Sequence, residues 1–87
     1  MENKIRELLK DKLNDMNLLV DSAYLEKENN NLFLRICLDS ENVLDLDTIV
    51  KATKIIDPII EKADLIDEAY ILEVYGKSKG DIKNEEN

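Results

Sequence analysis

Leu32-Phe33-Leu34-Arg35-Ile36-Cys37-Leu38-Asp39 is the stretch on which the fold turns. Leu32, Leu34, Ile36 and Leu38 alternate with Phe33, Arg35, Cys37 and Asp39. Successive side chains of an extended chain point to opposite faces, so period two predicts a strand with one buried face. Upstream, Leu18 to Lys27 lacks Gly and Pro and carries Leu19, Val20, Ala23, Tyr24 and Leu25. It reads as a second strand, with imperfect alternation. Asn29-Asn30-Asn31 separates the two runs, and asparagine tolerates the left-handed backbone of a tight turn. The two strands are therefore expected to pair as an antiparallel hairpin.

Outward from the hairpin the period changes. Ile5, Leu8, Leu9, Leu13 and Met16 form one stripe of a 3.6-residue repeat, which predicts a helix. Asn3 is its expected N-cap, and Asn14 and Asn17 suit its exit. After a loop at Ser40-Glu41-Asn42, Asp45 is placed to cap a second helix, with Asp47 adding negative charge to its first turn. Leu46, Ile49, Val50, Ala52, Thr53, Ile56, Ile59 and Ile60 give that helix a broad apolar face. Pro58 is expected to kink or divide it near Ala52–Lys54. Asp64 to Glu68 reads as an acidic connector and Ala69 to Tyr75 as the last strand. From Gly76 no period survives, so the expected layout is one domain over residues 1–75 and a flexible polar tail over 76–87. The predicted fold class is α+β, in the order α-β-β-α-β. Two helices cover one face of a three-stranded mixed sheet, making a two-layer domain.

Composition narrows the chemistry. The 87 residues hold 12 Lys+Arg against 20 Asp+Glu, no His and a single Cys, for a net charge of -8. Lacking His, the chain has no His/Cys zinc site and no His-based triad, and one Cys builds no disulfide framework. No apolar run is long enough to span a membrane, and the N-terminus does not read as a signal peptide, so a cytoplasmic protein is expected. The acidic excess disfavours general nucleic-acid binding and steers the chain toward a basic partner. A basic strip of Lys51, Lys54 and Lys62 leaves weak direct RNA contact open.

Gly76-Lys77-Ser78 has the ending of a phosphate loop, but Ile71 stands where its first glycine belongs. Asp39-Ser40-Glu41 begins like a calcium loop, yet no glycine follows. Cys37 has no histidine to activate it and reads as a small half-buried apolar residue. Neither a metal, a cofactor, a small-molecule substrate nor catalysis is expected. The face of the sheet turned away from the helices is the stronger candidate. There Phe33, Arg35 and Cys37 are expected to lie beside Ile71, Glu73 and Tyr75, with Arg35 and Glu73 as a cross-strand pair between aromatics. Phe33, Arg35, Glu73 and Tyr75 are thus the expected binding residues, with Asp45 and Asp47 as acidic contacts at the helix start.

These blocks resemble the bacterial ribosome maturation factor RimP family. Leu32 to Asp39 is similar to that family's strand WVLRVYID, and Leu44-Asp45-Leu46-Asp47 to its helix start VTLDD. Ala69-Tyr70-Ile71-Leu72-Glu73-Val74 is similar to AYTLEV, and Leu19 to Leu25 falls where the family has LVDVEYV. The resemblance spans roughly residues 3–75, the family's N-terminal domain. It implies a non-catalytic assembly factor without a cofactor. Such a factor binds the free small ribosomal subunit and helps a basic ribosomal protein join the ribosomal RNA. The family continues with SSPG into an SH3-like barrel. Here Tyr75-Gly76-Lys77-Ser78 stands in that place, so either an excised fragment or a single-domain relative is expected. The alternative is a protein–protein or self-associating module with no ribosomal target, its sheet face pairing with another copy.

Overall fold

The computed structural model describes residues 1–77, with the order α1 (Glu2–Asn14), β1 (Leu19–Glu28), β2 (Asn31–Asp39), α2 (Leu46–Ala63) and β3 (Ile71–Gly76). The expected α+β class and its α-β-β-α-β order are what the chain forms. The sheet order is β1-β2-β3, with β1 antiparallel and β3 parallel to the central β2. A hairpin can join the antiparallel pair in two residues, whereas the parallel pair needs a crossover, which α2 supplies.

The core lies between the sheet and the helices. Leu34, Ile36 and Leu38 of β2 are fully buried against Ile5, Leu9 and Leu13 of α1 and Ala52, Ile56 and Ile60 of α2. Leu72 and Val74 of β3 pack at its margin. Leu46 and Val50, counted in the apolar face of α2, stay exposed. At 3.6 residues per turn they fall on the flank of the Ala52–Ile56–Ile60 seam.

Caps and turns set the boundaries. The hairpin turn is the pair Asn29 and Asn30, with φ of 52° and 68°. Two successive positive φ values are those of a type I′ turn, whose twist matches the strands it joins. Asn31 is already in β2, paired with Glu28. α1 ends at Asn14, and the turn that follows it closes on Asn17, whose φ is 60°. Its N–H donates to the Asn14 carbonyl at 3.0 Å, and the Leu18 N–H reaches back to Leu13 at 2.9 Å. That bond pair ends a helix on a left-handed residue. Asp64 does the same for α2 with φ 51°.

Four expectations are corrected. The N-cap of α1 is Met1, with no side-chain cap, and Asn3 lies inside the helix. The earlier start lets Glu2 reach β1. α2 is not divided near Ala52–Lys54 but is one helix from Leu46 to Ala63 with Pro58 inside it. The proline deprives Lys54 of a backbone partner, and burial of Ala52, Ile56 and Ile60 on either side holds the helix together. β3 begins at Ile71 rather than Ala69 and takes in Gly76. Beyond it the Lys77 N–H donates to the Leu38 carbonyl at 2.8 Å. Residues 78–87 of the expected tail lie outside the described residues.

Candidate functional site

The alternation of three strands delivers one set of side chains to the uncovered face. In register, Arg35 stands between Tyr24 and Glu73, Cys37 between Ser22 and Tyr75, and Phe33 between Glu26 and Ile71. β1 reaches this register through an irregularity between Val20 and Ser22. Asp21 is the extra residue, which re-phases the strand so that Tyr24, Glu26 and Glu28 share the face of Arg35.

Arg35 is the centre of the site. Its Nε donates to Glu73 Oε1 at 2.6 Å, its Nη2 to Glu28 Oε1 at 3.0 Å, and its Nη1 to Glu26 Oε1. One guanidinium is thus shared by three carboxylates, leaving the group with an excess of two negative charges. The hydrogen bonds that Arg35 donates to Glu28 and Glu73 hold it firmly in its charged form. Its guanidinium carbon also lies 4.6 Å from the Phe33 ring centroid, within reach of a cation–π attraction. The arginine side chain is 15% exposed, whereas those of Glu26, Glu28 and Glu73 are 47%, 53% and 49% exposed. Each carboxylate spends Oε1 on Arg35, and its Oε2 has no partner among the described residues. The face therefore presents fixed, open acceptor oxygens around a neutralised centre.

A second cluster adjoins the first. The hydroxyls of Tyr24 and Tyr75, from the two outer strands, meet at 3.2 Å across β2. That bond, followed by burial, pushes the Tyr75 hydroxyl up to about 12. The same cover makes Cys37 buried rather than half-buried, although it faces away from the helices. Burial first, and then the Asp21 carboxylate, pushes its thiol up, so it stays protonated and a poor nucleophile. Lys77 closes this end of the face, its Nζ 3.2 Å from Asp21 Oδ1.

A family model described as the RimP N-terminal domain matches residues 8–76. The chain belongs to the RimP N-terminal domain family. The match runs from the middle of α1 to the last residue of β3, so it contains every strand that builds the open face. Membership of the RimP family suggests a role in ribosome maturation. Among the described residues, no helix is long and apolar enough to cross a membrane.

In this RimP N-terminal domain the six expected binding residues fall in two places. Phe33, Arg35, Glu73 and Tyr75 come together on the open face, with the expected Arg35–Glu73 pair among them. Asp45 and Asp47 do not join them, because α2 belongs to the layer behind the sheet. Asp45 caps α2 by accepting from the Thr48 N–H at 2.8 Å, and Thr48, through its side chain first and then this backbone bond, lowers the Asp45 pKa. Asp47 pairs with Lys51 one turn along. Tyr24, Glu26 and Glu28 were missed by sequence reasoning. Their signal was the every-second-residue spacing of Ser22, Tyr24, Glu26 and Glu28, hidden because Asp21 breaks the phase with Val20.

Proposed function

We propose that this domain is a non-catalytic, cofactor-free assembly module of the cytoplasm. In this reading it binds the small ribosomal subunit, or a basic protein of that subunit, during maturation. The observation that carries the proposal is the ring of Glu26, Glu28 and Glu73 around Arg35. Arg35 holds the three carboxylates in place, so an incoming lysine or arginine meets acceptors that need no ordering. Tyr24, Phe33, Ile71 and Tyr75 supply apolar contact around the ring. Binding by such a face shields the basic surface of the partner reversibly until RNA displaces it. Asp45 and Asp47 form a separate acidic contact in the helical layer. A second copy is a poorer occupant of the open face, because it would set one acidic ring against another.

The test is co-sedimentation with purified small subunits, large subunits and whole ribosomes at low and moderate salt. Selective, salt-sensitive binding to free small subunits, lost in a Glu26→Lys/Glu73→Lys variant, is the expected result. Equal binding to all particles, or binding indifferent to the charge reversal, contradicts the proposal.

A further inference from the structure

The outer edge of β1 is half closed and half open, and the line between the two is sharp. Near the start of the strand α1 stands in for a neighbour. Arg6 donates to the carbonyls of Val20 and Asp21 at 3.1 and 2.6 Å, and Glu2 Oε2 accepts from the Ala23 N–H at 3.1 Å. Those backbone groups point away from β2, and in an antiparallel ladder the outward direction recurs at every second residue. Leu25 and Lys27 therefore also turn their N–H and C=O outward. No described residue meets them. α1 begins at Glu2 and reaches no farther along the strand, so Leu25 is left 40% exposed on the helix side. Unpaired strand edges template another strand, and folds usually block them.

We propose that the partner extends the sheet here: an extended basic segment of a protein pairs with β1 at Leu25 and Lys27 as a fourth strand. The inference rests on the basic-partner reading above and specifies how that partner docks. Charge selects the occupant. On the open face the new strand would lie beside Tyr24, Glu26 and Glu28, where lysine or arginine at alternate positions meets the free carboxylate oxygens. Its intervening residues would lie beside Leu25 and Lys27, where an apolar side chain fits and a cation does not. A second copy of β1 would instead place Glu26 and Glu28 beside their own counterparts, a destabilising arrangement of like charges. Backbone bonds then supply affinity, and the alternating pattern supplies specificity and register.

The experiment titrates the whole chain with a blocked synthetic peptide carrying lysine at alternate positions and valine or threonine between. Binding is read by anisotropy of the labelled peptide and by amide hydrogen exchange. Wild type is expected to bind, with exchange slowed at Leu25 and Lys27. Lys27→Pro removes an outward donor without touching the β1–β2 ladder, and by removing a cation it makes this edge of the domain more acidic. Pure charge attraction would strengthen binding to that variant, whereas strand pairing weakens it by at least about tenfold. A peptide N-methylated on the edge facing β1 makes the same test with the protein unchanged, and is expected to lose binding. Full binding of either the methylated peptide or the Lys27→Pro variant overturns the fourth-strand proposal. So does binding of wild type without protection at Leu25 and Lys27, or no binding at all. The reading of the open face stands or falls separately, by the Glu26→Lys/Glu73→Lys co-sedimentation.

Discussion

Replacing Gly76 by valine separates two descriptions of the end of this domain. A Cβ added at Gly76 would fall 3.1 Å from Leu44 Cδ1, 3.2 Å from Leu44 Cβ and 3.5 Å from Ile49 Cδ1. Comfortable carbon–carbon contact begins near 3.5 Å. The Cβ alone is therefore tight, and the two γ-methyls of valine must displace Leu44 from the margin of the core. Overpacking of this kind costs about 1–3 kcal/mol. Strand propensity works in the opposite direction and favours valine over glycine by up to about 1 kcal/mol. The expected balance is a net loss of about 1 kcal/mol, which lowers Tm by roughly 4–8 °C in a domain of this size. Urea unfolding and thermal melts followed by circular dichroism measure both quantities. A double-mutant cycle with Leu44→Ala isolates the contact, and a coupling of about 0.5–3 kcal/mol is expected because the truncation makes room for the valine. If Gly76→Val is neutral or stabilising, Gly76 is the loose residue it resembles in the sequence. Strict additivity with Leu44→Ala equally refutes the argument.

Ile36 is fully buried in the central strand, so Ile36→Val should cost about 0.5–1.5 kcal/mol and Ile36→Ala about 2–5 kcal/mol in urea unfolding. An alanine variant within about 1 kcal/mol of wild type would contradict its place at the centre of the core. Arg35→Ala should lower Tm and leave three carboxylates facing one another, so added salt should recover more Tm in the variant than it adds to wild type. An equal salt response would show that the ring does not repel. Tyr75 ionises at about 12 in the fold against an ordinary 10.0, so above pH 10.0 the unfolded chain loses this proton first. Its contribution to stability is complete below that pH and is lost as pH rises toward about 12. Tyr75→Phe should show a shallower alkaline decline in urea midpoint, and an unchanged decline would remove Tyr75 as its cause.

What the sequence determined by itself was local. Leu32 to Asp39 announces its strand by strict alternation, Ile5 to Met16 its helix by a 3.6-residue stripe, and paired asparagines the hairpin between β1 and β2. Each of these signals lies within a few residues of chain, where backbone geometry is read directly from side-chain type. The Arg35–Glu73 pair was legible too, because both strands alternate and the chemistry of the two residues is complementary. Tertiary structure decided the rest. The bulge at Asp21 brings Glu26 and Glu28 to Arg35, and that phase depends on how β1 settles against β2 and beneath Arg6. Packing against the core keeps α2 whole through Pro58, although the local chain argues for a break. Gly76 belongs to the fold only because Leu44 and Ile49 close over it from a distant segment. The half-open edge of β1 likewise depends on where a helix that begins at Glu2 lies beside a strand that ends at Glu28. Contacts between segments far apart in sequence leave no periodic trace in either one, so the short-range patterns settle the elements and only their assembly settles the site.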